Sequence, residues 1–140
     1  MKLTPLLISL AVLCPIGNVS FADVWKAQDI PETSREKVRG GNGQMLLRTA
    51  LSPQDAQANH AIKEISFRTL PPGSSVGMHK HDSDEDVYLI VPGEATFTDD
   101  DGSQHILHKG DMSICRDGKS HAIANNGTEN LEYFVVLGEK

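Results

Sequence analysis

From residue 44 onward the chain is a series of short apolar runs separated by turn chemistry, and this is what most narrows the choice of fold. The runs are Met45 to Leu51, Ala61 to Leu70, Val87 to Val91, Ala95 to Thr98, His105 to Leu107, Met112 to Cys115, His121 to Ala124 and Leu131 to Leu137. Pro71-Pro72-Gly73, Pro92-Gly93, Asp101-Gly102, Lys109-Gly110-Asp111, Asp117-Gly118 and Asn125-Asn126-Gly127 fence them. Such residues supply positive φ, fixed φ or local side-chain hydrogen bonds, and they interrupt a helix before it can propagate. No window after residue 44 carries a helical period. In Ala61 to Leu70, Ile65, Phe67 and Thr69 share a face with Lys63, as alternation along a strand requires. Eight or so short, closely spaced strands predict an all-β sandwich or barrel. Strand period alone does not separate a jelly roll from an immunoglobulin-like sandwich.

The first 22 residues read differently. Lys2 gives a positive start, Leu3 to Leu13 is mostly apolar, and Ser20-Phe21-Ala22 places small residues where a signal peptidase reads them. Residues 1–22 are therefore expected to be an export signal cleaved before Asp23, which predicts a secreted or periplasmic protein. The apolar stretch is interrupted by Pro5 and Pro15 and is shorter than the roughly 20 residues a bilayer span needs. The 118 residues that remain suit one domain. They hold 12 Lys and Arg against 19 Asp and Glu, a net charge of −7, which disfavours nucleic acid or an anionic membrane as partner. Cys115 is then the only cysteine, so no internal disulfide can form, and its expected role is a small buried hydrophobe. Residues 23–43 are polar and end in Gly40-Gly41-Asn42-Gly43, predicting an extended arm with one helical turn near Ser34 to Val38. An arm with nothing of its own to pack on suggests a homodimer formed by strand donation to a neighbour's sheet edge.

Three of the six histidines sit where they could act together. His79 and His81 are two residues apart, which on a strand aims both imidazoles at one face. Alone such a pair is weak, and so is the acidic run Asp82, Asp84, Glu85, Asp86 that follows it, whose ordinary role is a solvated loop. The wider spacing is more specific. Gly73, five residues, His79, one residue, His81, four residues, Asp86, six residues and Gly93 resembles the first motif of the cupin family. Gly110, five residues, Arg116 where that family usually has proline, Gly118, His121 and Asn125 is similar to the second. The interval Glu94 to Lys109 is 16 residues.

The resemblance implies a single-domain jelly-roll β-barrel (a double-stranded β-helix) over residues 44–140. It also implies one divalent transition metal held by His79, His81, His121 and a carboxylate. The family's acidic ligand is normally glutamate. Asp86 satisfies both flanking spacings, whereas Glu85 keeps the residue type and misses one of them; a site of three histidines alone stays open. Three imidazoles and a carboxylate suit iron, manganese, nickel, copper or zinc without selecting among them. Six-coordination would leave two positions for a small-molecule substrate, and tetrahedral zinc would leave none. The resemblance thus implies a dioxygenase-like, lyase or isomerase metalloenzyme, or else a non-catalytic module that captures a small ligand. Tyr88 shares Asp86's strand face and is expected to pack in the barrel. His60, His105 and His108 lie outside the motifs and are expected to be solvated or at strand edges.

Overall fold

The computed structural model describes residues 22–139, so the expected export segment lies outside the described residues apart from Ala22. Ten strands follow in chain order: β1 (Glu32–Glu36), β2 (Gln44–Leu51), β3 (Ile62–Leu70), β4 (Ser75–Lys80), β5 (Asp84–Ile90), β6 (Ala95–Thr98), β7 (Gln104–Leu107), β8 (Met112–Cys115), β9 (Ser120–Ala124) and β10 (Leu131–Glu139). Two single 3₁₀ turns, Ala27–Asp29 and Val38–Gly40, are the helical content among the described residues. None of it is long and apolar enough to cross a membrane.

The strands form two antiparallel sheets, ordered β1-β2-β3-β10-β5-β8 and β4-β9-β6-β7. They face each other as a jelly roll. Their edges are not joined by strand pairing among the described residues, so the barrel is open. The core draws on both sheets: Met45, Leu47, Leu70, Tyr88, Ile90, Leu131, Tyr133 and Val135 from the larger, Val76, Ala95, Phe97 and Ile123 from the smaller. Leu70, Leu131 and Val135 are fully buried, each contributing roughly 1.5–3 kcal/mol relative to exposure.

Each expected apolar run coincides with a strand to within a few residues. The differences lie where the period signal fails. β5 begins at Asp84, so most of the acidic run is strand and not loop. β5 and β10 are apolar on both faces: Tyr88, Ile90, Tyr133 and Val135 are buried, while Val87, Leu89, Phe134 and Val136 alternate with them. In β3 the apolar face is the outer one. Phe67 is 38 % exposed and packs on Phe134 across the strand pair. Lys63, on that same face, is covered by a loop whose Gln57 and Ala58 carbonyls accept from its Nζ.

The arm also differs from expectation. Glu32–Glu36 is an edge strand paired with β2 of the same chain, from Glu32↔Arg48 to Glu36↔Gln44. The helical turn falls at Val38–Gly40, beyond the expected Ser34 to Val38. All five residues of β1 are exposed, so no buried alternation marks the strand in sequence. β1 thus has a strand of its own chain to pair with. The segment after β1 packs against β4 so closely that a Cβ on Gly77 would collide with the Arg39 carbonyl, and one on Gly41 with the Ser75 carbonyl.

Asn125 ties the turn before β10 to the end of β3. It is 1 % exposed; its Nδ2 donates to the carbonyls of Leu70 (2.7 Å) and Glu129 (2.8 Å), and its Oδ1 accepts from Gly127 N (3.0 Å). Asn125→Ala strands three backbone groups and is expected to lower stability by about 3 kcal/mol in urea denaturation. A loss below about 0.5 kcal/mol would show that those groups find other partners.

Candidate metal centre

The position of His79 depends on a one-residue slip. Val76 pairs with Ile123 and His79 with His121, so three steps along β4 match two along β9. In regular pairing Met78 would share Val76's inward face, because side chains alternate with a period of two. The bulge turns Met78 out, where it is 48 % exposed, and His79 in. His81 follows the end of β4 and is held by two backbone bonds, His81 N to Lys119 O (2.8 Å) and Gly118 N to His81 O (2.9 Å). Asp86 points inward from β5 with Tyr88 and Ile90.

The structure brings His79, His81, Asp86 and His121 together, with one ligand atom from each within 4.8 Å of all the others. His121 Nε2 lies 3.2 Å from His79 Nε2 and 3.1 Å from His81 Nε2. Asp86 Oδ1 is 3.5 Å from His81 Nε2 and 3.4 Å from His121 Nε2. The outer ring nitrogens explain what the inner ones offer. His79 Nδ1 donates to Gly77 O at 2.9 Å, and His81 Nδ1 to Asp84 Oδ1 at 2.8 Å. Each Nδ1 therefore carries the proton, leaving a bare Nε2 lone pair aimed inward. Asp86 Oδ1 is buried with no hydrogen-bond donor. Converging lone pairs around an orphaned carboxylate oxygen repel one another until a cation sits among them, so the donor set fits a divalent transition metal.

Glu85 is not part of this group. It faces the other side of β5 and pairs with Arg116 Nη1 at 3.1 Å. Arg116, which stands where the cupin pattern usually has proline, is thus the partner of the carboxylate that stays outside the site. His108 is exposed beside Glu94 and Asp111, and His60 and His105 are exposed too. Sequence reasoning missed Asp84, whose signal was a carboxylate three residues after His81. Tyr88 does pack in the core, yet its Oη also lies 3.5 Å from His121 Nε2.

Burial governs the charges here. It lowers His121 to about 3, with the neighbouring His79 and His81 adding to the effect, and it lowers His79 as well. Burial raises Asp86 to about 6, against the pull of His81, Tyr88 and Arg68, and lifts Tyr88 well above the usual tyrosine range. Burial pushes the Cys115 thiol up to about 11, with Asp86 the next cause, which makes it an inert core residue. In the metal-free protein these shifts oppose each other. His121 is lowered, so the unfolded chain takes its proton first and the fold loses stability as pH falls from 6.5 toward 3. Asp86 is raised, so its unfavourable contribution is complete above about 6 and fades as pH falls toward 3.8.

Asp86→Ala is expected to weaken metal binding at least about 100-fold and Glu85→Ala to leave it unchanged; Asp84→Asn falls between, at about 10-fold. Competition titration against a chelator measures all three, and the reverse ranking of Asp86 and Glu85 would put the wrong carboxylate in the site. The sequence alone predicts loss of metal as imidazoles titrate near ~6.5. Burial keeps His79 and His121 below the ordinary imidazole range, while Asp86, raised to about 6, takes up a proton that competes with the metal. Affinity is expected to fall at least about tenfold per unit below about pH 6. A steeper fall beginning above pH 6.5 would mean that several histidines hold protons in the fold.

Comparison with known proteins agrees with this geometry. The family model for the cupin domain matches residues 66–137. The oxalate-binding protein of Thermotoga maritima is 35 % identical over 114 residues, 81 % of this chain and 92 % of that one. A crystal structure from Thermotoga maritima described as a predicted oxalate decarboxylase superposes with a TM-score of 0.76 at 33 % identity, covering 84 % of this chain and 100 % of that one. The polyketide cyclase RemF from Streptomyces resistomycificus shares the fold alone, with a TM-score of 0.65 at 16 % identity over 85 % of this chain and 80 % of that one. With both motifs in register, half of the chain matched by the family model and its ligand positions gathered at one point, the chain belongs to the cupin family.

Proposed function

We propose that the protein is an exported cupin that binds one divalent transition metal through His79, His81, Asp86 and His121 and uses it to capture a small organic acid of the oxalate class. The observation that carries this reading is the convergence of three imidazole Nε2 atoms on the unpartnered Asp86 Oδ1. The printed names of the Thermotoga maritima relatives, oxalate-binding protein and predicted oxalate decarboxylase, supply the ligand class. Bound there with two positions free, the metal would hold the acid's oxygens and draw electron density from them. The chain's own contribution is a dry, fixed setting: His121 stays neutral, Tyr88 holds its hydroxyl beside it, and Phe97 packs edge-on against the His121 ring at 5.4 Å.

Such a site supports lyase-type cleavage, in which oxalate and one proton become formate and carbon dioxide, or dioxygenase-type oxidation of a related acid. The second reading is capture without turnover. It is favoured by Tyr88, the phenol nearest the ligands, which burial makes a reluctant proton donor. Export rests on Lys2, the apolar Leu3 to Leu13 and Ser20-Phe21-Ala22; the mature chain should then begin at Asp23 by mass spectrometry.

The deciding experiment takes that chain, purified without a histidine tag, through elemental analysis, calorimetry with oxalate and an assay for formate. About one equivalent of metal, absent from His121→Ala, and metal-dependent oxalate binding are expected. Formate production establishes the lyase; binding without product leaves the capture module. No metal above the level of the variant, even after reconstitution, sinks the proposal.

A further inference from the structure

The interior face of β3 carries charge where a barrel would ordinarily hold apolar side chains. Glu64, Ser66 and Arg68 all point inward. Arg68 Nη2 donates to Glu64 Oε1 at 2.7 Å and Arg68 Nε to Ser66 Oγ at 3.3 Å, and the side chains of Arg68 and Glu64 are each 14 % exposed. These two bonds draw the guanidinium back along the strand over Ser66. That places it in the cross-strand row Ser66–Val135–Tyr88. Tyr133, directly opposite Arg68, packs its ring on Tyr88 at 5.0 Å, and Tyr88 packs on His121 at 5.0 Å. One continuous wall therefore runs from the guanidinium to the metal ligands.

The charge reaches across that wall. Arg68 is among the groups that pull Asp86 down against burial, and among those that add to the burial-driven lowering of His79 and His121. A buried cation is retained against a large desolvation cost, and Glu64 already answers its charge. The pair is accordingly more than is needed for packing. With a divalent ion in place, Asp84, Asp86 and Glu64 contribute three negative charges and Arg68 one positive, so the ion and these side chains sum to zero, with Arg68 the one cationic side chain among them. A carboxylate entering beside the ion meets those carboxylates unless it takes the Arg68 donors, whereas a neutral ligand has no such need.

We propose that Arg68 is the specificity-determining residue of the pocket, its guanidinium receiving a carboxylate oxygen of the acid held at the metal centre. Glu64 is its tether, competing with the incoming acid for the same donors. This rests on the reading of the site as a metal-dependent acid binder and adds how the acid is told from a neutral ligand of similar size. A merely structural ion pair predicts that loss of either partner damages binding. The proposal predicts opposite signs, because removing Glu64 frees donors that removing Arg68 destroys.

The test uses the mature protein loaded with Co(II), whose visible band reports ligand entry, titrated with oxalate and with imidazole as a neutral probe of the open metal position. Arg68→Gln is expected to keep one equivalent of Co(II), to bind oxalate about 10- to 100-fold more weakly, and to bind imidazole within about twofold of wild type. Glu64→Gln is expected to bind oxalate several-fold more tightly. Should Arg68→Gln fail to fold, the neutral pair Glu64→Gln/Arg68→Gln is read in its place, with the same loss expected against Glu64→Gln. Equal oxalate affinity with and without Arg68, or weakening by Glu64→Gln as well, overturns the role of Arg68 and leaves the acid-binding reading standing. Absence of oxalate binding by loaded wild-type protein overturns both.

Discussion

The slip of β4 against β9 decides what the barrel interior contains. Regular pairing would have put Met78 beside Val76 and made this wall apolar, with both imidazoles of the His79–Lys80–His81 segment facing solvent. A bulge gives up ladder hydrogen bonds and bends its strand, so something must hold it. Here the holding groups are backbone. Gly77, inside the slip, is in contact with the Arg39 carbonyl, Gly41 approaches Ser75 from the same turn, and the Gly77 carbonyl takes the His79 Nδ1 proton. The polar segment after β1 thus bears on the candidate metal centre without supplying one of its four side chains: it fixes Gly77, Gly77 fixes the His79 tautomer, and the tautomer exposes the lone pair.

The remaining ligands follow from a division of the interior along the strands. At one end Leu70 pairs with Leu131, and Tyr133 lies against Ile90, with Asn125 sealing the turn. At the other end, on the same strands, Leu137 stands between Glu64 and Asp86. The apolar end supplies the burial that holds the two sheets together, and the polar end bears groups whose desolvation opposes folding. Proteins tolerate that opposition at sites of function. A metal that occupies the polar end turns much of the unfavourable term into binding free energy, because the folded chain presents the ligand geometry and the unfolded chain does not.

The outline of this arrangement was legible in the sequence because turn residues and ligand spacings are local. The resemblance of the counted intervals to the cupin motifs pointed to His79, His81 and His121, and to Asp86 by the four residues after His81 and the six before Gly93. What escaped is what depends on a partner strand. The slip in β4 exists only against β9. β1 is an exposed edge whose side chains carry no alternation. In β3 the conspicuous apolar set of Ile65, Phe67 and Thr69 belongs to the outer face, so nothing in the local pattern marks the charges Glu64 and Arg68 as facing inward. Asp84 was taken into a solvated run because its role appears only when His81 is turned toward it.

The choice between Glu85 and Asp86 shows how little of a ligand's identity rests on the ligand. Adjacent residues of a strand point to opposite faces, so only one of the two can enter the barrel. The Glu85–Arg116 pair on the outside does not decide which, since a surface ion pair of this kind is worth at most about 1 kcal/mol. Tyr88 and Ile90 decide it. Both are 1 % exposed; a one-residue shift of β5 would bring Val87 and Leu89 inward in their place, but neither supplies the Tyr88 ring that packs on Tyr133 and His121. That packing downstream keeps Asp86 in the interior, where burial lifts its pKa to about 6. That side chain is one methylene shorter than the family's usual glutamate. Its shorter reach is matched by the imidazoles that converge on it, with Asp86 Oδ1 within 3.5 Å of both His81 and His121.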